Sequence, residues 1–209
     1  MSKWDKADWK ASLRTAIFLY VEANQAAGGT EGAIVLAQAA LELMASLHSV
    51  SHLNNRPCKN IFENIEADER IRWLLEDLDI PVEIDQEVHP DLEDLRKYCA
   101  GALKNEKYQD GPKAITIQRN AIIHPYKRKI DNILSKTESK VKLEILDLAI
   151  WYLEMILLRL FEYNGGYANR LWRFRDDRTG SGFFEKVPWN NIFTRSHCDT
   201  CPMPSPKKA

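Results

Sequence analysis

One short segment places an arginine, an asparagine and a histidine at the end of a predicted helix. Arg119 and Asn120 are followed by His124 and Pro125, and the proline ends the helix because it disfavours helical geometry in the residue before it. Asn120 and His124 are four residues apart and share one face, which the long side chain of Arg119 can also reach. A histidine at a helix C-terminus lies near the negative end of the helix dipole, which favours its charged form. The three side chains therefore suit proton transfer near neutral pH.

One reaction that requires proton transfer of this kind is the cleavage of RNA without a metal ion. Such cleavage needs a base for the 2′-hydroxyl proton and an acid for the 5′-oxygen, and one histidine per chain cannot easily be both. Two copies of His124 across a symmetric dimer could divide these roles, while Arg119 supplies permanent positive charge to the transition state. Asn120 would hold His124 or a phosphate oxygen by a hydrogen bond. If the set acts on RNA in this way, it would do so as a homodimer, with no cofactor and no metal.

Glu42 is a candidate supporting residue. It is the only charged residue from Ala33 to Asn55, and a buried carboxylate requires a partner. In the functional interpretation Glu42 pairs with Arg119 and orients it; a structural ion pair or a partly exposed glutamate is an equal alternative. Gln38, one turn earlier, is expected in the same polar strip.

Basic residues on the C-terminal side of the motif are candidates for binding RNA. Arginines alternate there with Trp172 and Phe174, as in surfaces that hold single strands by charge and stacking. The equal alternative is that these aromatic residues dock the segment on the core while the arginines face water. The candidate RNA-binding residues are Lys127, Arg128, Lys129, Arg170 and Arg173.

Two further clusters contain metal-ligating residue types. His48 and His52 are four residues apart, but no further ligand is evident near them, so a frayed helix end is the favoured interpretation. His197, Cys198 and Cys201 provide a single C-x2-C pair where zinc needs four ligands, and we interpret them as part of a tail. No metal site is predicted.

Helices position these residues. Apolar spacing and Gly, Pro or capping signals predict helices over 10–25, from Thr30 to about 47, around 71–78, over 92–103 and over 112–123. The capping-box pattern from Ser135 to Glu138 predicts the start of the longest helix, which would end at Gly165. A strand is indicated only over 183–189. We predict an all-α bundle over 1–164, an extension packed on it over 165–195, and a proline-rich disordered tail over 196–209.

Composition limits the class of protein. The 209 residues contain 29 basic and 30 acidic side chains, which argues against coating of nucleic acid by bulk positive charge. The charges are polarised, since residues 63–94 hold thirteen acidic and two basic side chains while residues 113–175 hold twelve basic and six acidic ones. The first residues carry no signal-like apolar run, and four charges interrupt the apolar stretch 143–161, so we expect a cytoplasmic protein without a membrane span.

The spacing from Arg119 to His124, with asparagine directly after the arginine, resembles the R-x4-6-H motif of the HEPN family (higher eukaryotes and prokaryotes nucleotide-binding domains). The wider sequence is similar to HEPN proteins of bacterial toxin and defence systems over about residues 10 to 190. The segments that carry this similarity are Gln38–Leu43, Asp110–Pro112, Tyr163–Arg170 and Val187–Trp189.

The resemblance implies a metal-independent endoribonuclease with a composite site at a dimer interface. A toxin or phage-defence effector of this kind would have an antitoxin or sensor protein as a candidate partner. The alternative is a non-catalytic HEPN module that binds RNA, a nucleotide or a protein. The complete set of Arg119, Asn120 and His124 favours the enzyme, since a purely structural module has no chemical need for it.

Overall fold

Six α-helices form most of the regular structure among the residues that the structure describes. The structure is a computed structural model and describes residues 7–26, 28–52, 64–102, 108–124, 138–172 and 184–189. The helices are α1 (Ala7–Asn24), α2 (Gly29–His52), α3 (Ala67–Asp77), α4 (Pro90–Ala102), α5 (Gly111–Ile123) and α6 (Ser139–Leu160). The predicted all-α fold class is confirmed.

Local signals explain several helix ends. Gly28 and Gly29 both have φ near 74°, a left-handed geometry that separates α1 from α2 at little cost for glycine. Helix α4 starts at Pro90, and α5 stops before His124 as the following proline predicts.

The predicted start and end of the last helix need correction. Ser135 lies outside the described residues, and Glu138, which precedes α6, forms no side-chain capping bond. Helix α6 ends at Leu160 rather than at Gly165, and its 22 residues are fewer than the 24 of α2. The longest helix is therefore α2.

Helices α2 and α6 form the centre of the bundle. Helix α2 packs against α1, α3, α5 and α6, and α6 also contacts α4 and α5. Fully buried side chains of both helices fill the core; they include Ile34, Leu41, Met44, Ile145, Leu148 and Ile150. An apolar surface on more than one side of a helix is typical of a central position.

The segment after α6 packs on the bundle through a small sheet. Strands β1 (Gly166–Ala168) and β2 (Phe184–Lys186) pair antiparallel, with Tyr167 opposite Glu185. Tyr167 is buried and accepts a hydrogen bond from the indole nitrogen of Trp151 at 3.1 Å. The described part of the extension thus contacts the bundle at Trp151. Strand β1 was not foreseen, and residues 173–183 and 190–209 lie outside the described part.

One described helix passes a length and composition test for crossing a membrane. The stretch Gly29–Ser49 of α2 has a mean hydropathy of 1.3, and half of it is buried inside the bundle. A core helix passes the same test, so this stretch is weak evidence for a membrane span.

Candidate functional site

The first turn of α5 is fixed by a capping aspartate. The Asp110 carboxylate accepts a hydrogen bond from the backbone nitrogen of Lys113 at 2.9 Å, as an N-cap residue does. Arg72 of α3 donates to the same carboxylate at 2.6 Å, and this hydrogen bond raises the pKa of Arg72 above its usual value. One side chain therefore both starts α5 and ties it to α3.

Gly111 sets how closely α5 approaches α6. A Cβ atom built on this glycine would overlap the Tyr152 hydroxyl, which donates to the Val82 carbonyl at 3.2 Å. Tyr152 is fully buried, and burial raises its pKa well above the usual value. The Asp-Gly-Pro sequence thus provides a cap, a close contact and a proline in the first turn of the helix.

Ion pairs show the direction of α5. Lys113 pairs with Asp68, near the start of α3, at 3.0 Å, whereas Asp110 pairs with Arg72, one turn further along α3. The two helices therefore run antiparallel. The end of α5 therefore points away from the C-terminal end of α3.

The direction of α3 relative to α2 shows at which end of the bundle α5 ends. Glu42 pairs with Arg70 at 3.2 Å, and His48 lies 3.2 Å from Asp77, so α2 and α3 run parallel. Helix α5 is therefore antiparallel to α2, and its C-terminus points toward the end of the bundle at which α2 begins.

This arrangement exposes the motif at the last turn of α5. Asn120 and His124 are exposed, and Arg119 is half-buried. Arg119 Nη1 donates a hydrogen bond to Asn120 Oδ1 at 3.0 Å, and the backbone nitrogen of His124 donates to the Asn120 carbonyl at 2.9 Å. Within the described part of the chain, the His124 imidazole has no hydrogen-bond partner and is open to solvent on the face that it shares with Asn120.

A cleft lies at the same end of the bundle. It has a volume of about 320 Å³ and is lined by residues 28–31 at the start of α2 and by Ser139 and Lys142 at the start of α6. Lys142 pairs with Glu31 at 2.5 Å and so joins the two helix starts. The positive charge of Lys142 is therefore already matched within the chain.

The predicted pairing of Glu42 with Arg119 is wrong. Glu42 pairs instead with Arg70, and its side chain is 27% exposed rather than buried. Gln38 belongs to the same polar strip as expected, since its Nε2 donates to Glu42 Oε1 at 2.6 Å. Arg70 belongs to the acidic segment of the sequence, and only the packing of α3 beside α2 brings it to Glu42.

Arg170 is a structural residue, which corrects its assignment as an RNA-binding side chain. Its side chain is 8% exposed, and its guanidinium donates to Glu154 Oε1 at 2.7 Å and to Asn24 Oδ1 at 2.7 Å. Asp147 lies 3.6 Å away on the same helix as Glu154. The guanidinium thus holds the extension against α1 and α6 and has no face free for a phosphate. The other four RNA-binding candidates, 127–129 and 173, lie outside the described residues.

The expected fraying of the helix at His48 is wrong, because α2 continues to His52 and His48 lies 3.2 Å from Asp77. His48 is buried, and the carboxylate beside it belongs to α3. Among the described residues, no three His, Cys, Asp or Glu side chains form a group that could hold a metal ion. The side chain of His52 and the segment 197–201 lie outside the described part.

Sequence reasoning missed two polar residues that α5 buries. Thr116 and Gln118 are buried, and the Thr116 hydroxyl and both amide atoms of Gln118 have no hydrogen-bond partner. Arg119 Nε is also buried without a partner. Thr116 and Gln118 lie on a helix whose Ala114, Ile115 and Ala121 are also buried. A polar residue at a core position is unusual unless it has a hydrogen-bond partner, so the apolar pattern of this helix was the available signal.

Comparison with known sequences defines the class of protein. Residues 6–179 match the family model described as the YopA C-terminal domain, and the chain therefore belongs to that family. It is similar to a protein of Bacillus subtilis (strain 168) described as "SPbeta prophage-derived uncharacterized protein YopA", with 28% identity over 190 residues. The match covers 90% of this chain and 38% of the relative, so the chain corresponds to well under half of the longer protein. No solved structure gives a significant match.

Proposed function

We propose that this chain is a metal-independent endoribonuclease of the HEPN type whose site is completed by a second copy of the chain. The observation that carries the proposal is the last turn of α5, where Asn120 and His124 are exposed beside Arg119 and the His124 imidazole has no partner among the described residues. The rest of α5 is held by Asp110 and Gly111, so the reactive side chains are presented from a fixed helix.

The reaction would form one phosphorus–oxygen bond and break another. His124 of one copy removes the proton from the 2′-hydroxyl, and that oxygen attacks the adjacent phosphorus. His124 of the second copy gives a proton to the departing 5′-oxygen. The products are a 2′,3′-cyclic phosphate and a 5′-hydroxyl, and the two histidines have exchanged protonation states.

Arg119 and Asn120 would act on the charge that develops at phosphorus. The guanidinium is planar and permanently charged, so it can donate two hydrogen bonds to phosphate oxygens as negative charge increases. The Asn120 amide holds Arg119 in the free chain at 3.0 Å and becomes available to RNA when the arginine turns away. The proposal places the chain in a toxin or phage-defence setting, with an antitoxin or sensor as partner. The relative is described as prophage-derived, which agrees with such a setting but names no partner.

The test is RNA cleavage by the purified chain in the presence of EDTA. We expect cleavage products that end in 2′,3′-cyclic phosphate and a particle mass near twice 24.1 kDa by light scattering. The variant His124→Ala should cut about 10²- to 10⁴-fold more slowly, because it lacks the group that transfers the proton. Gln25→Ala, a change at an exposed residue just after α1, is the matched control and should cleave like the wild type.

Three results would contradict the proposal. Loss of cleavage in EDTA would indicate a metal-dependent reaction. A monomer that cleaves RNA would contradict the composite site. Binding of RNA without any cleavage would favour the non-catalytic module in its place.

A further inference from the structure

Two residues one turn apart on α5 carry buried polar atoms of complementary type. The Arg119 Nε–H group is a donor and the Thr116 hydroxyl oxygen can accept, and neither has a hydrogen-bond partner within the described part of the chain. Thr116 precedes Arg119 by three residues, so the two side chains are neighbours on the helix surface. A helical side chain points back toward the N-terminus, which directs the stem of Arg119 over the turn that contains Thr116.

Thr116 also belongs to the face of the proposed site. Residues 116, 120 and 124 are spaced by four, so Thr116, Asn120 and His124 form one line along α5. Exposure increases along this line, since Thr116 is 7% exposed while Asn120 and His124 are exposed. Thr116 is therefore the buried member of the same line, one turn before the exposed Asn120.

In the free chain, the terminal nitrogen of Arg119 forms a hydrogen bond with the adjacent residue. Nη1 donates to Asn120 Oδ1 at 3.0 Å, which leaves Nε without a partner. A buried donor and a buried acceptor that both lack partners are costly, and such atoms in a native structure need an explanation. A rotation of the Arg119 side chain that brings Nε to the Thr116 hydroxyl would satisfy both atoms and release the terminal nitrogens.

We propose that Thr116 is a positioning residue, whose hydroxyl accepts a hydrogen bond from Arg119 Nε when the guanidinium turns from Asn120 to a phosphodiester of bound RNA. This inference rests on the proposed function. In the bound state, Arg119 Nε donates a hydrogen bond to the Thr116 hydroxyl. The two terminal nitrogens then face solvent and can each donate to one phosphate oxygen. The Asn120 amide is released by the same rotation.

The test compares three variants of the full chain. Thr116→Val removes the hydroxyl with almost no change of shape, and Thr116→Ser retains it. Gln118→Met is the matched control, because it removes a buried, unpartnered amide two residues away, about 200° around the same helix. We expect Thr116→Val to lower kcat about tenfold with a smaller change in KM, since a hydrogen bond to a charged group is lost. Thr116→Ser should restore kcat, and Gln118→Met should leave it unchanged.

NMR spectroscopy can observe the Nε–H group of Arg119 directly. The probe is a 2′-O-methyl RNA heptanucleotide of mixed sequence, which cannot be cleaved because its 2′-oxygens cannot attack. On its addition, the NMR resonance of Arg119 Nε–H, assigned with Arg119→Lys, should shift and exchange more slowly with solvent in the wild type and in Thr116→Ser. It should not do so in Thr116→Val.

The outcomes separate this inference from the proposed function. If the wild type cleaves RNA and Thr116→Val has the same kcat and the same Nε–H behaviour, the role of Thr116 is refuted and the nuclease stands. If the wild type cleaves no RNA but the resonance responds as expected, the contact stands and the catalytic proposal fails. If cleavage and response are both absent, both proposals fail. Loss of kcat in Gln118→Met as well would refute a specific role of Thr116.

Discussion

Arg170 offers a direct test of whether the basic residues after α6 hold the fold or bind RNA. In Arg170→Ala the carboxylates of Glu154 and Asp147, which are 20% and 22% exposed, would lose their shared cation. Removal of one partner of a buried ion pair costs 3–5 kcal/mol, and the partial exposure here places the cost near the lower end, at about 3 kcal/mol. For a chain of this length that corresponds to a fall in Tm of about 6–12 °C.

The measurement is thermal unfolding followed by circular dichroism at 222 nm. Arg14→Ala, at an exposed arginine of α1, is the control and should change Tm by no more than about 2 °C, because exposed charges contribute little to stability. RNA binding by Arg170→Ala, measured well below its Tm, should equal that of the wild type. An unchanged Tm with weakened RNA binding would refute the structural assignment of Arg170 and restore it as an RNA-binding residue.

Two further predictions concern the burial of His89 and the partners of Glu42. Burial lowers the pKa of His89 to about 4, whereas in the unfolded chain this histidine takes up its proton near pH 6.5. The contribution of neutral His89 to the free energy of unfolding is therefore fully present above pH 6.5. It decreases by about 3 kcal/mol as the pH falls to 4. Urea unfolding at pH 7 and pH 4 should show this loss in the wild type, and an equal loss in His89→Gln would contradict it. Arg119→Ala should melt within about 2 °C of the wild type, since Glu42 is paired by Arg70. A large fall in Tm would show that Arg119 has a structural partner after all.

Sequence signals within one helical turn predicted both ends of α5, the helix that carries the candidate site. Pro125 alone predicted that α5 ends before His124, and the Asp-Gly-Pro sequence predicted where it begins, because both signals act within one turn of the backbone. The i, i+4 relation of Asn120 and His124 followed from helix geometry in the same way.

Pairs between distant residues could not be predicted from the sequence. Glu42 and Arg70 are 28 residues apart, and Asn24 and Arg170 are 146 apart, so the choice among many candidate partners depends on how the helices pack. A charged residue in an apolar helix shows that a partner is needed, but not which one. Strand β1 was missed for a related reason, because three residues gain their strand geometry from β2 rather than from their own sequence.

The separation of anchoring polar contacts and exposed candidate residues along α5 has a consequence for how this family can diverge. The cap at Asp110, the close approach at Gly111 and the ion pair of Lys113 lie in its first turn, whereas the exposed motif lies in its last. Substitutions at exposed positions of the last turn therefore cost the fold little. Selection can therefore change the residues of this turn while the bundle stays the same. Relatives that share the bundle can differ in the chemistry or the substrate preference of this turn.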